Sequence, residues 1–127
     1  YKELGRDALE AERWNMLHPG EKPKVPYVSQ CLDQEPGVVV AASDFMKLLP
    51  DSISKWVPQP LMALGTDGFG RSASRAELRD FFEVDSRFIT LATLYLLARN
   101  GQIKPEMVKK AIKTLDISAE KPNPMRA

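Results

Sequence analysis

The sequence predicts an α/β fold, and three observations carry that prediction. Two short apolar runs, residues 38–42 (Val-Val-Val-Ala-Ala) and 61–64 (Leu-Met-Ala-Leu), have the length and composition of strands covered on both faces. A helical pattern lies between them, so the three form a β-α-β unit with parallel strands and a right-handed crossover. The second run then breaks into Gly65-Thr66-Asp67-Gly68-Phe69-Gly70-Arg71-Ser72 and continues as Ser74-Arg75-Ala76-Glu77. A hydroxyl followed three residues later by Glu is a capping box, so strand, glycine-rich turn and capped helix follow one another directly.

Taken in order, residues 2–17 are predicted to be an amphipathic helix, with Leu4, Ala8, Ala11, Trp14 and Leu17 on one face at three- and four-residue spacing. His18-Pro19-Gly20 stops it, and two prolines make residues 21–26 extended loop. Residues 26–32 suit a short helix with Pro26 near its start, and Glu35-Pro36-Gly37 is a turn. After the first strand, Ser43-Asp44 is expected to cap a helix through Phe45, Met46, Leu48 and Leu49. Pro50 should kink or restart that helix, with Ile53, Trp56 and Val57 continuing its apolar side until Pro58 and Pro60 close it. Beyond the glycine turn come a short helix over 75–82 and a longer one from Ser86 to about Asn100, capped by Asp85 and stopped by Gly101. Phe88 to Ala98 contains enough β-branched and aromatic residues to suggest a strand, but the length between cap and glycine is helical, and the near-uniform apolarity predicts burial on most sides. Pro105 opens a last helix with Met107, Val108, Ala111, Ile112 and Leu115 in an apolar stripe, followed by an irregular tail from Glu120.

Composition bounds function. At 127 residues the chain suits one domain with a modest core. Its net charge of +1 comes from interspersed acids and bases, unlike the clustered Lys and Arg of a nucleic-acid footprint. Lys104, Lys109, Lys110 and Lys113 read as a solvated helix face. No apolar run reaches the roughly 20 residues of a membrane span, and no signal peptide is expected from the opening residues. With one cysteine, Cys31, and one histidine, His18, there is no internal disulfide and no conventional zinc set, which suits a reducing, cytoplasmic setting. His18, before Pro19-Gly20, reads as a helix terminator and not as part of a catalytic triad.

The inventory has too few strands. Two parallel strands leave two unpaired edges and do not make a stable sheet alone, so the chain reads as part of a domain. The block Gly65-Thr66-Asp67-Gly68-Phe69-Gly70-Arg71-Ser72, then Arg75-x-x-Leu78-Arg79-x-Phe81-Phe82-Glu83-Val84-Asp85, resembles the C-terminal region of the homodimeric, bacterial-type pyruvate dehydrogenase decarboxylating components. Glu12-Arg13-Trp14-Asn15-Met16-Leu17-His18-Pro19, Val25-Pro26-Tyr27-Val28, Ala42-Ser43-Asp44-Phe45-Met46-Lys47-Leu48 and the final Asn123-Pro124-x-x-Ala127 resemble the same family in order, across essentially the whole chain. Phe69-Gly70-x-Ser72-Ala73 carries a fainter likeness to transketolases generally.

The resemblance implies a three-layer α/β/α unit of the transketolase C-terminal type, with a mixed sheet of about five strands. Residues 1–127 would be the C-terminal part of that one domain, starting after its first two strands and ending at the natural carboxyl terminus. For the full-length parent it implies oxidative decarboxylation of pyruvate and acetyl transfer to a lipoyl group. Thiamine diphosphate and magnesium would be held by two upstream domains of a homodimer, with dihydrolipoyl acetyltransferase and dihydrolipoyl dehydrogenase as partners. No cofactor is expected in this part, and Gly65-Thr66-Asp67-Gly68 does not replace the Gly-Asp-Gly…Asn-Asn metal–diphosphate signature.

On the residues alone the glycine loop admits another role. Asp67, Gly68, Gly70, Arg71 and Ser72 are candidates for a phosphate or nucleotide cradle: the glycines allow close backbone approach, and Arg71 adds charge. The spacing fits neither GxGxxG nor a Walker loop, so the favoured reading is a tight turn at positive φ in which Asp67 and Ser72 satisfy backbone groups. Phe69 is expected to be a packing plug or interface contact. The pairs Glu83/Asp85 and Asp80/Glu83 read as a helix-flanking cluster and an N-cap, and Trp14, Tyr27, Trp56, Phe81, Phe82, Phe88 and Tyr95 as core or interdomain contacts. No residue stands out as catalytic. The alternatives are therefore a regulatory phosphate-binding module, or an interaction domain that pairs its exposed strand edge with another chain.

Overall fold

The computed structural model describes residues 1–127 throughout. Helix α1 (Lys2–Leu17) buries Ala8 and Ala11, the two smallest residues of its predicted stripe. Leu17, at the end of that stripe, lies exposed instead. His18 closes α1, its N–H donating to the carbonyls of Trp14 (3.0 Å) and Asn15 (3.3 Å) and its ring stacked on Trp14 with centroids 4.3 Å apart. Asn15 secures the following loop with both amide atoms: Nδ2 donates to the Lys24 carbonyl at 2.9 Å, and Oδ1 accepts the Lys24 N–H at 2.7 Å. Asp7 accepts the Tyr27 N–H at 2.7 Å, which satisfies a free donor at the start of α2 (Tyr27–Leu32).

Strands β1 (Val39–Ala42) and β2 (Leu61–Leu64) pair in parallel, with Val39 opposite Leu61 and Ala42 opposite Leu64. Side chains alternate across a strand, so the pair faces two helical layers. On one face Val39 and Leu61 join Val28, Ile53, Val57, Leu4 and Trp56 in a core under α1 and α2. On the other, Met62 and Leu64 face Phe88, Leu91 and Ala92 of α5 (Ser86–Arg99) and Val108 and Ile112 of α6 (Pro105–Thr114) across an apolar hollow of about 300 Å³. The result is the helix–sheet–helix layering expected, on a two-stranded sheet whose outer edges are unpaired.

Two expectations need correction. Residues 43–47 are not helical; α3 is a single turn (Leu48–Asp51), followed by a 3₁₀ turn (Ser54–Trp56). The Ser43 hydroxyl accepts the N–H of Phe45, two residues on, which is a local turn that competes with a helix cap. Pro50 sits inside the first turn of α3, where its missing N–H costs nothing, and it is fully buried. Phe45, Met46, Leu48 and Leu49, expected on an apolar helix face, are instead exposed. Helix α5 is also less enclosed than its composition implies: Phe88, Ala92 and Leu96 are buried, one face only, while Tyr95 is exposed.

The caps follow the sequence closely. Ser74 accepts the Glu77 N–H and Glu77 accepts the Ser74 N–H at 3.0 Å, completing the capping box of α4 (Arg75–Phe81). Asp85 accepts the Phe88 N–H at 3.0 Å at the start of α5, and Gly101, at φ 75°, ends it.

Candidate functional site

The carboxyl ends of β1 and β2 open onto two loops, the place where open α/β sheets hold ligands. These loops, 43–47 and 65–72, are tied together. The Thr66 N–H donates to the Phe45 carbonyl at 2.9 Å, the Thr66 hydroxyl donates to the Asp44 carbonyl at 2.6 Å, and the Lys47 N–H donates to Asp67 Oδ2 at 3.3 Å. Gly65 is buried against this junction: a Cβ there would lie 2.9 Å from the Lys47 nitrogen and closer still to the Phe45 carbonyl oxygen.

Asp67 thus satisfies a backbone group, as the tight-turn reading expects, and Gly68 supplies the positive φ at 107°. Gly68 has a second role that its sequence does not reveal. A Cβ there would meet the Pro124 carbonyl oxygen at 2.6 Å and the Met125 Cα at 3.2 Å, so the chain after α6 returns to lie on the loop. Gly70 faces open space, and Phe69 between the two glycines is 80% exposed.

Loop 65–72 and α4 form the walls of an open cleft of about 500 Å³, whose apolar side is Phe69, Leu78, Phe82 and Val84. Its charged groups do not converge. The Arg71 guanidinium lies 4.0 Å over the Phe81 ring, Arg79 reaches Asp44 at 3.8 Å, and Arg75 lies at the rim with no carboxylate partner. Of the five loop candidates, the structure brings Gly68, Gly70 and Arg71 to the cleft, assigns Asp67 to Lys47, and leaves Ser72 on the neighbouring surface beside Glu77 and Lys121.

The carboxylates of residues 80–85 have structural partners. Asp80 and Asp85 both accept from Arg87, with Arg87 Nε 3.0 Å from Asp85 Oδ2, and the Asp85 bond is the main reason the guanidinium's affinity for its proton is raised. Glu83, a non-glycine residue at φ 61°, lies 3.4 Å from the Lys121 ammonium. The same ammonium donates to the Phe81 carbonyl, the last of α4, at 2.7 Å. No local pattern announces Lys121, which lies 40 residues beyond Phe81 in the chain. On the opposite side of the molecule, Glu12 accepts from Lys55 at 2.7 Å and from Trp56 Nε1 at 3.1 Å, and these bonds, Lys55 first, hold its carboxyl below the ordinary range. Glu77 is lowered likewise by its bonds to the Ser74 hydroxyl and N–H.

Comparison with known proteins places this arrangement. A chain-long similarity links it to proteins named pyruvate dehydrogenase E1 component. That of Pseudomonas aeruginosa is 52% identical over 126 residues, 98% of this chain and 14% of the relative. That of Escherichia coli K12 is 46% identical over 128 residues, 100% of this chain and 14% of the relative. That of Buchnera aphidicola from Acyrthosiphon pisum is 49% identical over 125 residues, 98% of this chain and 14% of the relative. The chain therefore spans about one seventh of the length of these curated relatives. The family model of the transketolase-like TK C-terminal domain matches residues 6–85, from α1 through the glycine loop to the cap of α5. By that match the chain belongs to the transketolase-like C-terminal domain family.

Proposed function

We propose that this chain is the C-terminal structural and dimerisation portion of a pyruvate dehydrogenase component. The whole protein would decarboxylate pyruvate oxidatively and pass the acetyl group to a lipoyl group on dihydrolipoyl acetyltransferase, with dihydrolipoyl dehydrogenase completing a cytoplasmic complex. The observation that carries this reading is the similarity of 46–52% over essentially every residue of the chain, loops and caps included. The unpaired outer edges of the sheet and the exposed Phe45, Met46, Leu48 and Leu49 support it, since a domain continued by further strands and a partner subunit would cover such surfaces.

Thiamine diphosphate and magnesium belong, in this reading, to other domains of the whole protein. The glycine loop does not fit them: one Asp67 oxygen accepts the Lys47 N–H, the neighbouring Asp44 faces Arg79, and no set of three acidic, His or Cys side chains gathers there. A metal bridging a diphosphate requires free oxygen ligands directed at one point. What this chain's residues contribute is a rigid end of the sheet, with two loops cross-bonded at Thr66 and Asp67, and an exposed aromatic at Phe69.

Pyruvate-dependent reduction of an artificial electron acceptor, with thiamine diphosphate and magnesium supplied, tests the assignment. The full-length polypeptide carrying this sequence should turn over and the 127-residue chain should not. Turnover by the isolated chain, or an inactive full-length protein with its cofactor bound, would remove the reading.

A further inference from the structure

We propose that the segment after α6 is a charge-latched strap that sets the conformation of loop 65–72, with Lys121 as the latch. Three independent contacts define it. The Lys121 ammonium, on a side chain only 19% exposed, donates to the terminal carbonyl of α4 at Phe81 (2.7 Å) and meets Glu83 at 3.4 Å. It also lies 5.3 Å and 5.6 Å from the ring centres of Phe81 and Phe88. Three residues on, Pro124 is buried, unlike its neighbours Asn123 and Met125. The Pro124 carbonyl and the Met125 Cα occupy the space above Gly68 that any side chain would need.

One charge therefore performs three tasks. It caps a helix end whose carbonyl lacks an internal partner, it neutralises a carboxylate on a residue held at positive φ, and it anchors the strap. The consequence lies at Gly68. Pinned by Pro124, this glycine fixes the path of the loop, whose other end is bonded to Phe45 and Lys47. Gly68, Phe69, Gly70 and Arg71 line one wall of the 500 Å³ cleft. With the strap docked, the cleft has that wall and Phe69 is presented outward. With Lys121 neutralised, the ammonium's hydrogen bonds, ion pair and ring contacts are lost together, the strap lifts and the wall loses its support. The strap can open locally at low cost, because it is held by a few directional contacts and not by a broad apolar face.

Hydrogen exchange of the full-length polypeptide, read by mass spectrometry, tests the strap. The reporters are the Thr66 and Lys47 amides, which bond across the two loops, and the controls are amides of β1 and α5. Lys121→Gln should accelerate exchange at both reporters by about tenfold or more while the controls keep their rates. Lys121→Arg, which retains the charge, should stay near the parental rates. Pro124→Gly, which leaves Lys121 intact but removes the strap's one buried side chain and frees the backbone that lies over Gly68, should reproduce the acceleration. Unchanged reporters in Lys121→Gln or in Pro124→Gly overturn the proposal. So does a uniform acceleration that includes β1 and α5, which would make Lys121 a general stabiliser and not a latch for the loop.

Discussion

Replacing Gly65 with alanine should be among the most damaging single-methyl additions this chain can suffer. The added carbon would press on the Phe45 carbonyl oxygen and lie 2.9 Å from the Lys47 nitrogen, both backbone atoms that cannot rotate away. Relief requires the two loops to part, which removes the bonds from Thr66 N–H, Thr66 Oγ1 and Lys47 N–H. At about 1 kcal/mol net for each bond, the loss is about 3 kcal/mol, or somewhat less where water replaces a partner at this exposed end. Against the usual stability of a small domain, about 5–15 kcal/mol, that is a large fraction. With a urea slope of about 1.5 kcal/mol/M, the unfolding midpoint should fall by about 2 M, read by far-ultraviolet circular dichroism. Gly70→Ala is the internal control, because its Cβ would meet nothing within 4 Å and its φ is unremarkable, so its effect should stay under about 0.5 kcal/mol. If Gly65→Ala moves the midpoint no further than Gly70→Ala, the loops are not locked together as described.

Other consequences follow from the caps and the long-range bonds. Ser74→Ala removes the capping box of α4 and should cost about 1 kcal/mol by the same urea titration, whereas Ser72→Ala, outside the box, should be near neutral. Because folding lowers the Glu77 pKa, its stabilising contribution is complete above the ordinary carboxylate range and fades as pH falls through the lowered folded value. Denaturation midpoints taken from pH 6 downward should therefore drop less steeply in Glu77→Gln than in the parent. Trp56→Phe keeps the ring in the core but leaves the Glu12 carboxylate with Lys55 alone. A loss of about 1 kcal/mol is expected, and full parental stability would show that the Nε1–Glu12 bond contributes nothing. Asp85→Ala removes the cap of α5 and a partner of Arg87, and thermal melting should reveal a loss of about 1–2 kcal/mol that Asp85→Asn largely restores.

What the sequence makes legible is what depends on neighbours a few residues apart. Ala8 and Ala11 declare the buried side of α1 because helical spacing is local, and Ser74 with Glu77 or Asp85 with Phe88 act within one turn. The strands are legible because an apolar run bounded by prolines or glycines has few other uses. Residues 43–47 are misjudged because Ser43-Asp44 offers equally good chemistry for a cap and for a two-residue turn. The choice is made by loop 65–67, some 20 residues away, through Asp67 and Thr66. Lys121 is illegible for the same reason, magnified: its partners Phe81 and Glu83 lie 40 and 38 positions back. Gly68 is legible as a turn glycine from its spacing, but only the packed structure reveals the Pro124 backbone above it, 56 positions further along the chain. The exposure of Phe45, Met46 and Leu48 is not legible, because apolar character says that a side chain favours cover and not which surface supplies it.

The Asn15 side chain, bonded to both backbone groups of Lys24, has a bearing on how this chain ages in a protease-rich environment. Residues 21–25 are exposed, carry two lysines and lack regular structure, which would ordinarily mark a nicking site. A protease, however, must draw about ten residues of backbone into its own extended groove, and here a donor and an acceptor at Lys24 are already held, while Pro23 blocks cleavage after Lys22. One amide on a helix therefore hides a cut site that accessibility alone would advertise. Limited trypsin digestion should leave the bond after Lys24 among the slower cuts, and Asn15→Ala should move it among the first.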